Sequence, residues 1–328
     1  MARAAAASFQ THNQGYSFFI GLIDNADEKA DEWYKGYKII NCKDIGVGHL
    51  NEMAIRYNIS ELSCALKSYF CDFVLRSEPR AEEILYLDSD LYVYSGFTIV
   101  EQLHHQYDIL LTPHLINPMV FDGKQPDEIA YLATGTYNGG FFSIKVSENS
   151  RLFIKWWCER MRYYCFYKIG QGLFVDQKWL NMVPVFFEKV YIILDPGYNV
   201  SYWNLHERVI EMSNTGCLVN SSYPLVFFHF SSINLKEGIL FYKQQNRFSE
   251  ESLPLVKKLF MEYRSIVYEE GYEITSQCIS YYGKVYQEHT NSMLNKTIKG
   301  KLILWAKKNI SPATRNKFKD RIKNLIGS

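Results

Sequence analysis

Short apolar runs separated by amphipathic segments dominate the hydrophobic pattern of this chain of 328 residues. Short apolar runs with polar borders predict buried strands, which we expect at 16–24, 38–41, 84–88, 107–113, 138–144, 190–194 and 225–230. Apolar positions at helical spacing predict helices between them, one from Ser60 as N-cap and one over 148–167. Strands that alternate with helices predict an α/β fold with a mostly parallel sheet.

The pattern changes near both ends of the chain. From about residue 249 it is helical to the end, and Ser311 followed by Pro312 predicts a terminal helix with one apolar and one basic face. Residues 1–15 are expected to be a tag or a disordered leader. We therefore expect a main α/β domain over 16–248 and a helical C-terminal region over 249–328.

Charge is distributed unevenly along the chain, although the net charge is only +1. Residues 296–323 contain ten Lys or Arg and one acid, whereas the rest of the chain has 26 basic and 34 acidic residues. A basic amphipathic helix suits an anionic membrane surface; packing on the main domain and contact with a partner are the alternatives. Because the main domain is acidic and lacks a recognition motif, we expect no nucleic-acid binding.

The composition is that of a globular protein, with 47% apolar and 22% charged residues, which excludes extensive disorder. Seven scattered cysteines without a CxxC pair favour reduced thiols and a cytoplasmic protein. No apolar stretch approaches the roughly 18 residues of a membrane span, and the N-terminus lacks the apolar core of a signal peptide.

Two carboxylates, Asp88 and Asp90, stand at the carboxyl end of the apolar run at 84–87. Alternate residues of extended backbone point the same way, so both side chains are able to face one hard cation, Mg²⁺ or Mn²⁺. Such a cation neutralises a diphosphate, and open α/β sheets bind ligands at this edge. On its own, however, the pair also fits a turn or a solvated surface.

Three further motifs follow along the chain: Asn138-Gly139-Gly140, Asp176-Gln177 and His229. The glycines enter a predicted strand, where they allow a close approach of the backbone to a ligand or form a bulge. The pair at 176–177 starts a predicted helix, where an ordinary N-terminal helix charge is the alternative. The histidine lies on the last predicted strand, where a satisfied core histidine is the alternative.

Taken in order over 58–231, these motifs resemble those of metal-dependent glycosyltransferases of the GT-A fold. The resemblance is to the retaining group that includes glycogenin and bacterial lipopolysaccharide galactosyltransferases, and to a bacterial polysaccharide glycosyltransferase family. The chain departs from the glycogenin-like pattern after His229, because the sequence from His229 to Lys236 has neither the glycine nor the Pro-Trp of that pattern. Retention is therefore favoured only weakly over inversion.

The resemblance implies a role for each motif. It implies that Mn²⁺ or Mg²⁺ is held by three residues, Asp88, Asp90 and His229. It implies contacts to the nucleotide-sugar donor from Asp24, Lys67, Asp88, Ser89, Asn138, Gly139 and Gly140. Asp176 and Gln177 are expected to be catalytic and to face the donor sugar; in an inverting enzyme Asp176 would be the general base.

A polar and aromatic loop follows the predicted strand at 190–194. Its expected acceptor-binding residues are Asn199, Tyr202, Trp203 and His206, which provide stacking faces and hydrogen bonds for a sugar. A packed aromatic loop without ligand contact is the alternative.

The sequence thus predicts a metal-dependent enzyme that moves a hexose, from a UDP-linked donor, to a glycan or lipid-linked glycan in bacterial surface polysaccharide assembly. We expect it in the cytoplasm, with the basic helix placing it on the inner face of the membrane. A haloacid-dehalogenase-like phosphatase is disfavoured. Its Asp-x-Asp motif usually lies near the chain start and is followed by Thr or Val and Gly, whereas here 87 residues precede Asp88 and Leu91-Tyr92 follow the acids. An inactive transferase-like fold that binds glycan or a protein partner is the second hypothesis.

Overall fold

The computed structural model describes residues 1–25, 33–34, 36–214, 216–241 and 245–309. The predicted terminal helix from Ser311 lies outside these residues, and so does the second half of the basic segment.

The helices and strands have the following bounds. The helices are α1 (Ala2–His12), α2 (Leu50–Arg56), α3 (Ile59–Ser77), α4 (Thr98–Leu103), α5 (Glu128–Thr134), α6 (Glu148–Tyr164), α7 (Val183–Phe186), α8 (Pro254–Glu269), α9 (Tyr272–Thr275), α10 (Tyr281–Asn295) and α11 (Ile298–Asn309). The strands are β1 (Phe19–Leu22), β2 (Lys38–Asn41), β3 (Glu83–Leu87), β4 (Leu91–Val93), β5 (Ile109–Pro113), β6 (Tyr137–Lys145), β7 (Tyr167–Lys168), β8 (Leu173–Phe174), β9 (Val190–Ile192), β10 (Ile210–Ser213), β11 (Gly216–Val219), β12 (Tyr223–Pro224) and β13 (Phe227–His229). Single turns of 3₁₀ helix lie at Ile169–Gln171 and Glu250–Ser252, and a longer one at Gln177–Met182.

The central sheet has the strand order β3-β6-β5-β9. β5 and β9 are parallel, whereas β6 is antiparallel to both of its neighbours. Three of the four strands therefore run in one direction, which confirms the predicted α/β fold with a mostly parallel sheet. β1 and β2 form a separate parallel pair, and β13 pairs antiparallel with β4.

Both faces of the central sheet are covered. On β5, Ile109 and Leu111 pack into one buried cluster and Leu110 into another. On β6, Phe142 packs into the cluster of Ile109 and Leu111, and Phe141 packs into the cluster of Leu110. Strands buried on both faces have continuous apolar runs rather than alternating patterns, which explains why these segments were recognisable in the sequence.

The helices α3 and α6 cover one face of the sheet. Leu66 of α3 and Phe153 of α6 belong to the same buried cluster as β5 and β6. α3 begins with a capping box: the Asn58 side chain accepts from the Glu61 N–H at 3.0 Å, and the Glu61 carboxylate accepts from the Asn58 N–H at 3.1 Å. The predicted N-cap, Ser60, is therefore wrong by two residues.

The N-terminal segment is part of the fold, so the prediction of a disordered leader is wrong for Ala2–His12. α1 packs on β4 and buries Ala5 and Phe9. Its Ser8 hydroxyl accepts from the Val93 N–H at 3.1 Å, and the next turn's Asn13 side chain accepts from the Phe97 N–H at 2.8 Å. An alanine-rich segment is a strong helix former even without an obvious apolar face.

The described C-terminal residues are helical, as predicted, and they share a core with β13. Phe260 and Tyr263 of α8 lie in one cluster with Phe228 and Phe230, and the Tyr263 and Phe230 rings stack 4.2 Å apart. α10 packs against α2 and α3. Over the part of the chain described, no helix has both the length and the apolar character that crossing a bilayer requires.

Candidate functional site

Three predicted metal ligands lie together at the end of the central sheet. Asp88 follows β3, and Asp90 immediately precedes β4. The pairing of β13 with β4 sets His229 opposite Leu91, which brings the His229 Nε2 to 3.1 Å from the Asp90 Oδ1. One ligand atom from each of the three side chains lies within 4.8 Å of the others. Two carboxylates and one imidazole form a donor set that suits Mn²⁺ or Mg²⁺.

Glycine at position 140 makes room for this histidine. A Cβ atom at Gly140 would lie 2.4 Å from the His229 Cε1. The Nδ1 of His229 is buried and lacks a hydrogen-bond partner among the described residues. Burial lowers the pKa of His229, but the Asp90 carboxylate outweighs burial and raises it. The same pairing outweighs burial at Asp90 and lowers the pKa of that carboxyl.

Lys67, on α3, joins two of the acids. Its Nζ lies 3.0 Å from the Asp88 Oδ1 and 3.1 Å from the Asp176 Oδ2, and donates to the Gly139 carbonyl at 3.0 Å. The side chains of Lys67 and Asp176 are only 8% and 2% exposed. Burial alone would lower the pKa of Lys67, but the Asp176 and Asp88 charges hold it well above its usual value. Burial raises the pKa of Asp176, and Lys67 offsets part of that effect.

The charges of this cluster do not balance. The cluster contains three carboxylates, those of Asp88, Asp90 and Asp176, and one lysine, so it is negative whether His229 is neutral or protonated. Asp88 also accepts from the Tyr86 hydroxyl at 2.7 Å, which satisfies a lone pair without supplying charge. Partly buried carboxylates require a compensating cation, so the donor set and the charge deficit both fit a divalent ion.

The Asn138-Gly139-Gly140 strand lies directly against Asp176 and Gln177. A Cβ at Gly139 would lie 2.6 Å from the Asp176 Oδ2. The Gln177 Oε1 accepts from the Gly139 N–H at 3.3 Å, and the buried Asn138 side chain accepts from the Gly140 N–H at 2.9 Å. The glycines therefore permit close packing of protein against protein here, in addition to any approach by a ligand.

His114 belongs to the same network, although the sequence analysis did not single it out. Its Nδ1 lies 3.1 Å from the Thr136 carbonyl, and its Nε2 lies 3.2 Å from the Asn138 Nδ2. Burial lowers the pKa of His114 to about 4, so the neutral ring donates through Nδ1 and accepts through Nε2. In the sequence, the feature that pointed to His114 as a site residue was its position directly after Pro113, at the carboxyl end of β5.

The predicted acceptor residues divide into two groups. Asn199 and Trp203 are buried, whereas Tyr202 and His206 are half-buried. Asn199 adopts a φ of 56° and donates to the Pro113 carbonyl at 3.3 Å. The Trp203 ring contacts His229 edge-on, with centroids 5.2 Å apart. Trp203 is thus brought to the metal cluster, while Asn199 is tied into the supporting backbone.

The remaining predicted donor residues lie apart from one another. Ser89 is exposed beside the two metal-site acids. The Asp24 carboxylate accepts from the Tyr281 N–H at 2.8 Å, at the start of α10, and from the Asn25 N–H at 2.8 Å. Asp24 therefore contacts the helical C-terminal region in this structure, and its donor contact stays a prediction.

A cavity of about 1340 Å³ is lined by residues of β1 and β3 and by the two acids of the cluster, Asp88 and Asp90. Its lining includes Cys64, Lys67, Asp88, Ser89 and Asp90. Ligand pockets commonly measure ~300–1,000 Å³, so a nucleotide sugar fits this volume. Lys67, Asp88 and Asp90 thus line a space large enough for a nucleotide, and Asp90 contacts the His229 ring.

Comparison with known sequences gives two relatives and no matching protein-family profile. The uncharacterized protein YfnF of Bacillus subtilis (strain 168) is 30% identical over 203 residues, which cover 62% of this chain and 66% of YfnF. The uncharacterized protein YfnD of the same organism is 22% identical over 177 residues, which cover 53% of this chain and 54% of YfnD. The chain therefore spans just under two thirds of the first relative and about half of the second.

Several solved structures are similar in fold at low sequence identity. The galactosyltransferase LgtC, in complex with donor and acceptor sugar analogs, has a TM-score of 0.44 and 14% identity, with 80% of this chain and 90% of that chain covered. The glycosyltransferase GlyE of Streptococcus pneumoniae TIGR4 has a TM-score of 0.42 and 16% identity, with 85% and 62% covered. Mouse xyloside xylosyltransferase 1 has a TM-score of 0.38 and 12% identity, with 70% and 91% covered. All three are named as glycosyl-transferring proteins.

Proposed function

We propose that this chain is a metal-dependent glycosyltransferase that moves a hexose from a nucleotide diphosphate sugar, UDP-linked, to a hydroxyl of a glycan. One observation supports this proposal most: the ligand atoms of Asp88, Asp90 and His229 lie within 4.8 Å of one another, and the two acids line a cavity of nucleotide size. A metal site beside such a space matches the chemistry of diphosphate departure.

Asp88, Asp90 and His229 would hold the cation, Mn²⁺ or Mg²⁺. When bound, a divalent ion there neutralises the charge of the leaving nucleoside diphosphate. Lys67 holds Asp88 in place and supplies the remaining fixed positive charge. The close packing of Gly139 and Gly140 against Asp176 and His229 keeps these side chains in one arrangement before a donor binds.

The burial of Asp176 favours retention over inversion. An inverting general base must reach the acceptor hydroxyl, but this carboxylate is 2% exposed and paired with Lys67. We propose that Asp176 and Gln177 act from beneath the donor sugar, with Asp176 fixing Lys67 and Gln177 presenting its amide toward the Asn138-Gly139 edge. Ser89, Asn138 and the two glycines complete the donor side of the site.

The acceptor is proposed to be a glycan or a lipid-linked glycan of bacterial surface polysaccharide assembly. Of the predicted acceptor residues, Trp203 contacts the His229 ring and Tyr202 contacts Trp203. The predicted basic helix after Ser311 would place the enzyme on the inner face of the membrane. A cytoplasmic enzyme of this kind would meet both the nucleotide sugar and the membrane-bound acceptor.

Isothermal titration calorimetry with UDP-hexoses and GDP-hexoses, in Mn²⁺ and in EDTA, tests the proposal. We expect UDP-hexose binding that needs the metal and is lost in Asp88→Ala/Asp90→Ala. Asp72→Ala is the matched control, since Asp72 lies on the surface of α3 and pairs only with the neighbouring Arg76 in the structure described. Donor binding that ignores EDTA, or no binding across the panel, would instead favour an inactive fold that binds glycan or a partner.

A further inference from the structure

A continuous row of aromatic side chains lies on the outer surface of α6, the 3₁₀ helix at Gln177–Met182 and α7. We call it the aromatic strip, and it consists of Tyr163, Tyr164, Trp179, Trp156 and Phe186. Successive ring centroids lie 6.2, 6.1, 6.2 and 5.7 Å apart in that order. Tyr164 and Phe186 are 51% and 52% exposed, and Tyr163 is 45% exposed. The two tryptophans are half-buried between them.

Such a row does not result from ordinary core packing. The tryptophans contribute to the core beneath, but the three outer rings present much of their surface to solvent. Contiguous exposed apolar patches on a soluble protein mark interaction sites. Tyrosine and tryptophan combine an apolar face with a polar edge, which suits a ligand that has both apolar faces and hydrogen-bonding groups.

Three arginines lie along the strip. The guanidinium groups of Arg162 and Arg56 lie 5.0 and 5.3 Å from the Tyr163 ring centroid, and that of Arg160 lies 5.6 Å from the Trp156 ring. Arg160 and Arg162 pair with Glu159 and Glu52 at 3.2 and 3.5 Å, but those glutamates are 58% exposed. Exposed pairs of this kind are weak, so a carboxylate or phosphate of a ligand is able to replace them.

We propose that the aromatic strip is an accessory binding site for an acidic glycan chain, separate from the reacting centre. The C–H faces of sugar rings pack on aromatic faces, because the positive C–H edge meets the negative face of the ring. The adjacent guanidiniums bind acidic substituents of the same chain. The choice of a glycan as occupant rests on the proposed function, since a transferase that elongates polysaccharide must hold a chain longer than the residue it modifies.

The first test is binding of the whole protein, fluorescently labelled and in EDTA without nucleotide, to an array of neutral and acidic bacterial oligosaccharides. We expect acidic oligosaccharides to bind in preference. The best one is then remeasured in solution with Tyr164→Ala/Phe186→Ala, for which we expect at least about tenfold weaker binding. Both residues are half-exposed, so their truncation leaves the core intact, which the thermal unfolding midpoint checks.

Phe121→Ala/Tyr223→Ala is the matched control, because it removes two exposed rings elsewhere on the surface. We expect it, and Asp90→Asn, to bind the array glycan like the wild type. No array binding, binding to neutral glycans alone, or equal binding by the strip variant would overturn the proposal. A dimer in sedimentation that dissociates in the strip variant would overturn it too, by assigning the strip to a second copy of the chain. Since metal and donor are omitted, failure here leaves the proposed transfer reaction untouched.

Discussion

The proposed donor side and the proposed acceptor side of this site are built in different ways. On the donor side, Lys67 pairs with Asp88 and Asp176, Asp90 pairs with His229, and the cluster keeps a net negative charge. On the acceptor side, the Asn204 side chain holds the loop from Asn199 to His206: it donates to the Asn199 and His114 carbonyls at 2.9 and 3.0 Å.

The difference is one of charge. A partly buried cluster with uncompensated charge requires a cation, whereas the loop is held by Asn204 and keeps polar atoms on Asn199, Trp203 and His206 that are unpaired among the described residues and suit a neutral ligand. We therefore expect changes on the donor side to affect cation and nucleotide binding. Changes at Asn204, which holds the loop backbone, should mainly affect folding.

The largest effect is expected from His229→Ala, which removes the nitrogen ligand. Mn²⁺-dependent UDP-hexose affinity should fall on the order of 100-fold or more, because even outer partners of a metal site are worth roughly 10–100-fold. Calorimetry measures this. His105→Ala is the matched control, since His105 is exposed and is not part of the Asp88, Asp90 and His229 group. Equal loss in both variants would contradict a ligand role for His229.

Lys67→Met should unfold the protein more readily, because it leaves Asp176 buried without a cation. Removing one member of a buried pair costs about 3–5 kcal/mol, and urea denaturation measures the free energy of unfolding. The exposed Lys155→Met should be nearly neutral. Adding Asp176→Asn to Lys67→Met should recover part of the stability but not donor binding. A cost below about 1 kcal/mol for Lys67→Met, as for a surface pair, would show that the pair is not buried in solution.

Gly140→Ala should displace His229 and lower Mn²⁺-dependent donor affinity by roughly 10–100-fold. The physical reason is the 2.4 Å approach between the added Cβ and the His229 ring. Gly170→Ala is the matched control, because a Cβ there meets nothing within 4 Å. If Gly140→Ala binds donor like the wild type, the imidazole has room to move and the packing argument is wrong.

Asn204→Ala is expected to have the smallest effect on function. It removes two hydrogen bonds that the buried Asn204 amide donates and one that it accepts from the Ser201 N–H. Stability should fall by about 1–3 kcal/mol, with donor affinity unchanged. Denaturation and calorimetry on the same preparation separate the two. A loss of donor affinity without a loss of stability would place this loop on the donor side instead.

The strands of the central sheet and the place of Asp88 and Asp90 were predictable from sequence, because apolar runs locate strands and the paired acids stand at a strand end. The reversed direction of β6 was not, since strand direction depends on long-range pairing that leaves no local pattern. His114 was missed although it directly follows a predicted strand, because its place in the network depends on contacts with Thr136 and Asn138 that the sequence does not show. The burial of Asn199 and the helix of α1 were also missed, because both depend on tertiary contacts rather than on local hydrophobicity.

Crystallisation with Mn²⁺ and UDP, with data collected for the manganese anomalous signal, tests the central claim most directly. The account predicts one manganese at about 2.0–2.3 Å from oxygens of Asp88 and Asp90 and a nitrogen of His229, with the diphosphate completing its coordination. A manganese elsewhere, or a diphosphate held in the cavity without manganese at these residues, would contradict it.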